Sequence, residues 1–176
     1  KVTDERKGME YFIDAIDRLV KQHPELKDNT SVAVLGGNAQ LVCDRLALKA
    51  YPLGYVSDEH RIVDIYRSAD MYVLPSLEDN LPNTIMEAMA CGVPCVGFRV
   101  GGIPEMIDHR RTGYVANFKD SNDLAVGMNW VLQEADTEQL SSACVSKVTR
   151  CYSGQSVAMR YIEVYNELIA LKRYII

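Results

Sequence analysis

Two acids in the run Pro75-Ser-Leu-Glu-Asp-Asn-Leu-Pro-Asn-Thr-Ile-Met-Glu-Ala-Met-Ala-Cys-Gly-Val-Pro94 have the type and spacing to bind a polyol. The run reads as a strand exit, a polar loop, a helix and the start of the next strand. Asp79 falls in the loop and Glu87 on the helix, with seven residues between them. A loop exit plus about one and a half to two turns of helix, at ~1.5 Å rise per residue, sets both carboxylates along one cleft. Between them the helix N-terminus offers free N–H groups near Asn83 and Thr84, which suit a phosphate. Carboxylates at the two ends then suit sugar hydroxyls on either side of that phosphate. Spacing alone leaves a plainer alternative open, with Asp79 capping its loop and Glu87 on the helix surface.

A second feature is Lys1 with Lys7, followed by Gly8 and a helix. A lysine ahead of a helix N-terminus opposes the dipole unless an anion shares the site, so the pair can hold a diphosphate. Asp4 and Glu5 dilute that charge, and two solvated lysines are the alternative. A third is Val100-Gly-Gly-Ile-Pro-Glu105, where Gly101 and Gly102 at a strand exit let a ligand approach the backbone closely. Gly36-Gly37 is a weaker version. No G-x-G-x-x-G or G-x-x-x-x-G-K-[ST] occurs, against a nicotinamide dehydrogenase and a P-loop NTPase. No G-x-S-x-G elbow occurs either, and Ser76 has no nearby histidine, against a hydrolase triad. The five cysteines are scattered without a C-x2-C pair, and the three histidines do not cluster with them. No metal site is expected, and reduced thiols of a cytosolic protein are.

The elements that position these residues follow from periodicity. Met9, Phe12, Ile13, Ile16, Leu19 and Val20 mark one helix face ending near Pro24. Strands are expected at 31–35, 53–56, 71–74, 94–98 and 114–116. Helices are expected through Leu41, Leu46 and Leu48, after a cap at Ser57 or Asp58, from Pro82 to Ala90, over 103–107, and around 121–134, 137–150 and 155–172. Regular βα alternation with short apolar strands predicts an α/β fold, a Rossmann-like parallel sheet with helices on both faces. Ligands of such a sheet bind at the carboxyl ends of its strands, where the loops above lie.

The chain of 176 residues fits a single domain, 1–176, with 48% apolar and 24% charged residues and a formal charge of −5. Mild acidity gives no reason to bind nucleic acid, and no run is long enough for a transmembrane segment. No signal segment is expected from the residues at its start.

Together these features resemble the donor-binding domain of a GT-B-fold retaining glycosyltransferase of family 4. The resemblance rests on Pro75-Ser76, Asp79 with Glu87 inside Glu87-Ala-Met-Ala-Cys-Gly-Val-Pro94, Gly101-Gly102 with Glu105, and Gly113 to Val115. Lys7-Gly8, Leu53-Gly-Tyr-Val56 and Tyr66-Arg-Ser-Ala-Asp70 match in order. It covers nearly the whole chain and thins after about Leu132.

The resemblance implies one half of a GT-B enzyme, with the N-terminal acceptor domain absent from this chain. Its substrate is a nucleoside-diphosphate sugar such as a UDP- or GDP-hexose, and its acceptor a glycan or lipid-linked molecule of bacterial polysaccharide synthesis. Lys7 and Lys1 match the pair that holds the diphosphate, with Lys1 standing where arginine is usual. Asp79 matches a carboxylate on the transferred sugar, and Glu87 one on the ribose. Asp79, Glu87 and Lys7 thus carry the chemistry, without a nucleophile. Asn80, Leu81, Asn83 and Thr84 match a segment whose amides face sugar and phosphate, Tyr55 and Val56 fall where the base packs, and Gly101-Gly102 borders the donor. Glu105 fits a structural role equally well. Transfer is expected to be metal-independent and cytoplasmic, with any membrane association peripheral and through the absent domain. Val157, Tyr161, Tyr165 and Leu168 of the last helix are expected to dock on that domain, and the fragment to be inactive alone. The alternatives are a non-catalytic nucleotide-sugar-binding domain and a flavodoxin-like interaction domain.

Overall fold

The computed structural model describes residues 1–172, the side chain of Lys172 excepted. A 3-10 turn, Glu5–Lys7, leads into α1 (Met9–Gln22), whose apolar stripe buries Phe12, Ile13, Ile16 and Leu19. Then come α2 (Leu26–Asn29), β1 (Ser31–Leu35), α3 (Ala39–Cys43), β2 (Lys49–Gly54), α4 (Glu59–Arg67), β3 (Tyr72–Leu74), α5 (Asn83–Ala90), β4 (Cys95–Phe98) and α6 (Ile103–Met106). The chain continues through β5 (Gly113–Ala116), α7 (Ser121–Asn129), a π-helical turn Trp130–Glu134, α8 (Thr137–Tyr152) and α9 (Gly154–Lys172).

All strand pairs are parallel, as βαβ alternation requires. Side chains alternate across β4 and β5. Val96, Phe98, Tyr114 and Ala116 join α1 and α7 in one core, whereas Cys95 and Val115 join α5, α6 and α8 in another. Helices therefore cover both faces, and the Rossmann-like expectation holds.

The single sheet does not. The described strands form two sheets, β1–β2 and β3–β4–β5, with no pairing between β1 and β3. Hydrophobic pattern reports which residues are buried but not which backbones are bonded, so the division left no mark on the sequence.

Three element boundaries also differ. The second strand runs over Lys49–Gly54 rather than 53–56 and ends where Gly54 turns to φ 67°. Its Pro52 is tolerated because β2 is an edge strand pairing only with β1. The helix expected through Leu48 stops at Cys43, and Leu48 fills the core from the approach to β2. The stretch 121–134 changes to π-helical geometry at Trp130.

Candidate functional site

The site is assembled at the carboxyl ends of β3 and β4 by three loops bonded to one another. The Arg6 carbonyl accepts from the Leu77 amide at 2.7 Å, tying the Lys7 turn to the exit of β3. Gly8, at φ 63°, lies so close beneath this exit that a Cβ would overlap the Pro75 carbonyl. On the other side the Gly102 amide donates to the Asn80 carbonyl at 2.6 Å.

Gly101 and Gly102 owe their identity to that contact. A Cβ on Gly101 would overlap the Asp79 carbonyl, and one on Gly102 the Asn80 carbonyl and the Leu81 side chain. The space that a side chain would take at these two positions is filled by the protein's own 79–81 loop. The glycines fix the height of that loop.

Within this frame Lys7 and Asp79 come together. Lys7 Nζ lies 3.7 Å from Asp79 Oδ2, with the lysine side chain 45% exposed and the aspartate 19%. The neighbouring Arg6 is engaged by Asp4 at 2.8 and 3.0 Å. Asp4 also caps the turn through the Arg6 amide, and this bonding holds its carboxyl down at about 2. Lys7 is thereby the cation turned to the loop after β3.

Glu87 sits one helix further along. Its Oε2 accepts from the Tyr66 hydroxyl at 3.1 Å. Burial, then the charges of Tyr72 and Glu87, push the Tyr66 phenol far above its ordinary range, so it stays an O–H donor. Tyr72 stacks edge-on against Tyr66 at 5.6 Å, and burial above all, with smaller contributions from the charges of Cys95, Glu87 and Asp79, pushes its phenol up. Between the two carboxylates Pro82 is the N-cap of α5 and has no N–H; Ile85 donates back to the Pro82 carbonyl at 3.1 Å. The amides of Asn83 and Thr84 precede that first bond and stay outside the helical ladder.

The remaining expected residues are placed less tightly. Lys1 is exposed and lies against Gly37 at the end of β1. Tyr55 stands 84% exposed beyond β2, with Val56 half-buried beside it. Glu105 has a structural part: its carbonyl accepts from Lys147 Nζ at 2.7 Å, and that buried ammonium also pairs with Asp108 at 2.6 Å.

Sequence reasoning missed Tyr66 as the partner of Glu87. The available signal was a tyrosine on the buried face of an amphipathic helix, whose hydroxyl needs an acceptor. It also missed Lys147, for which one lysine in a mixed helix gives no signal. Ser76 is buried with its hydroxyl unpartnered among the described residues. No group of three or more His, Cys, Asp or Glu side chains among those residues is arranged to hold a metal ion.

Residues 1–134 match the family described as Glycosyl transferases group 1. The chain belongs to that family. An uncharacterised glycosyltransferase of Methanocaldococcus jannaschii is 29% identical over 168 residues, covering 91% of this chain and 42% of the relative. A D-inositol 3-phosphate glycosyltransferase of Corynebacterium jeikeium is 26% identical over 173 residues, covering 92% and 41%. Among solved structures, Anabaena HepE in complex with UDP superposes with a TM-score of 0.74 at 19% identity, covering 93% of this chain and 46% of that one. HepE has also been solved with UDP-glucose. This group 1 glycosyltransferase chain thus spans less than half the length of these relatives and shares the fold of one GT-B half. Among its described residues no helix is long and apolar enough to cross a membrane.

Proposed function

We propose that this chain is the donor-binding domain of a transferase that uses a nucleoside-diphosphate hexose and passes the sugar, with retention, to a glycan or lipid-linked acceptor. The observation that carries the reading is the meeting of Lys7 and Asp79 in the loop that leads into the N-terminus of α5, with Glu87 of that helix oriented by Tyr66. A cation on the loop that leads into a helix N-terminus suits the diphosphate, which is the leaving group. Lys7 and the amides of Asn83 and Thr84 balance the charge that develops on it as the glycosidic bond breaks. Lys1 is the second, weaker cation. Their positive charge takes the part a divalent ion plays elsewhere, so the reaction is metal-independent.

Asp79 holds hydroxyls of the transferred sugar and Glu87 those of the ribose, while Tyr55 and Val56 flank the base. Asn80 and Leu81 present the loop that Gly101 and Gly102 support. The acceptor is held by a domain that precedes this one, against which the exposed apolar residues of α9, Tyr161, Tyr165 and Leu168 among them, are placed. Retention, the acceptor class and a bacterial cell-surface pathway rest on the resemblance of the 75–116 region; UDP as the nucleotide is supported by the likeness to HepE.

The test is Asp79→Asn in the full-length protein, with turnover and UDP affinity measured on the same preparation. Turnover should fall by at least tenfold (about 1.4 kcal/mol) with UDP affinity little changed. Equal losses in both would remove Asp79 from the sugar.

A further inference from the structure

A cleft of about 420 Å³ opens at the end of the molecule opposite Lys7 and Asp79. Its walls are the turn ahead of β5, the π-helical turn after α7 and the first turns of α8. Arg110 and Arg111 form the first wall. The Arg110 amide donates at 2.7 Å to the carbonyl of Gly113, the first residue of β5. β5 runs parallel to β4, so this turn lies at the amino ends of the strands. The loops that carry Lys7 and Asp79 lie at the carboxyl ends.

Both guanidinium groups line the cleft, and neither forms an ion pair among the described residues. Arg110 is held by its surroundings. Its guanidinium carbon lies 5.9 Å from the ring centres of both Tyr114 and Trp130. Tyr114 is fixed in turn by its hydroxyl, which donates to Asp123 at 2.8 Å. Arg110 also takes φ 59°, a left-handed backbone that is costly for an L-residue and recurs at functional sites. Trp130 opens the π-helical turn, where the Ala135 amide donates back to the Trp130 carbonyl at 3.0 Å. Such turns are frequent at binding sites. Two unpaired guanidinium forks at one cleft match the oxygens of a phosphoryl group.

The remaining walls decide what the phosphoryl group is attached to. Ala135 and Leu140 continue the Trp130 side as an apolar surface for a ring. Ser142 and Ser146, one turn apart and exposed on α8, offer hydroxyls. Asp136 caps α8, its Oδ1 accepting from the Gln139 amide at 3.0 Å, and its Oδ2 accepts from no donor among the described residues. The helix N-terminus is thus already capped. An anion falls to the two arginines, and ligand hydroxyls fall to the serines and Asp136. We infer that this cleft binds a small sugar phosphate, with the phosphoryl group on Arg110 and Arg111 and the ring against Trp130. The volume lies in the range of small-molecule sites, about 300–1,000 Å³. This second site stands on its own residues and survives if the donor site proves to be elsewhere.

The indole N–H of Trp130, followed by NMR in the full-length protein and assigned with Trp130→Phe, tests it. Glucose 1-phosphate or glucose 6-phosphate should shift this signal saturably, with a Kd below about 1 mM. Inorganic phosphate should bind at least about tenfold more weakly and glucose should be silent, and saturating UDP should leave the Kd unchanged. Arg111→Ala should raise that Kd about tenfold or more, as loss of a charge-assisted hydrogen bond does. Ser146→Glu, which sets a carboxylate into the cleft from an exposed helix position, should do the same. Neither variant should alter UDP affinity. No shift with either sugar phosphate, or an affinity unchanged in both variants, would overturn the inference. Inorganic phosphate binding as tightly as the sugar phosphates would mean an adventitious ion only. Displacement by UDP would assign the signal to the donor site. A response to phosphatidylglycerol vesicles without one to the sugar phosphates would give the arginines to a lipid surface, and each of these three results also overturns it.

Discussion

Lys7 Nζ stands 3.7 Å from Asp79 Oδ2, so a turn ahead of the first helix and a loop after the third strand share one charge pair. Half-exposed pairs of this kind contribute little to stability. What the contact fixes is position: the cation and the carboxylate lie at the carboxyl ends of the strands, where α/β sheets bind ligands.

Lys7→Ala in the full-length protein should weaken UDP or GDP binding by about 1.5–3 kcal/mol, the range for a hydrogen bond to a charged group. That is roughly a 10- to 150-fold rise in Kd by titration calorimetry. The melting temperature should barely move. Unchanged affinity would put the diphosphate somewhere else.

Tyr66→Phe removes the hydroxyl from Glu87 and keeps the ring against Tyr72. KM for the sugar nucleotide should rise by the worth of one hydrogen bond, about 0.5–1.5 kcal/mol, with kcat preserved. Glu87→Gln should weaken UDP and leave inorganic pyrophosphate alone. Equal losses for both ligands would deny Glu87 a place at the ribose.

Gly102→Ala forces a methyl group into the Asn80 carbonyl and Leu81. The 79–81 loop must lift, costing about 1–3 kcal/mol in urea denaturation, as overpacking generally does. Turnover should drop further than for an equally destabilising change far from the loop. Wild-type kinetics in this variant would mean that the loop height is not functional.

Stability should depend on pH through His109. Burial, followed by the charges of Arg110 and Arg99, lowers its pKa below the ordinary 6.5, and its Nδ1 accepts from the Val115 amide at 3.1 Å. The folded state favours the neutral ring, so the unfolded chain binds the extra proton first. The contribution is present above about pH 6.5 and is lost as pH falls toward the folded value. His109→Gln should flatten this slope in urea melts between pH 7.5 and 5.5. A slope unchanged by the substitution would assign it to other groups.

The central run was legible because several kinds of signal agree there. Pro75 ends β3, Gly92 closes α5 at φ 80°, and the apolar residues between them keep helical spacing. Asp58 caps α4 through the Arg61 amide at 2.9 Å, as its position before that helix suggested. Elsewhere the signals conflict. β2 contains Pro52 and exposed Lys49 and Tyr51, since an edge strand needs neither alternation nor apolar bulk. Leu48 keeps helical spacing with Leu41, yet Leu46 and Leu48 both belong to a non-helical approach to β2. Asp79 and Glu87 were legible as types at a spacing. The contacts that orient them, from Lys7 and Tyr66, join distant segments and leave no local pattern.

The most direct test is a calorimetric titration of the full-length protein with UDP, GDP and ADP, with and without EDTA, on the wild type and on Lys7→Ala. Selective binding of one nucleotide, insensitive to EDTA and weakened at least tenfold by Lys7→Ala, is the result predicted for a metal-independent donor site built on Lys7 and the N-terminus of α5. Binding that EDTA abolishes, or that Lys7→Ala leaves intact, would contradict it.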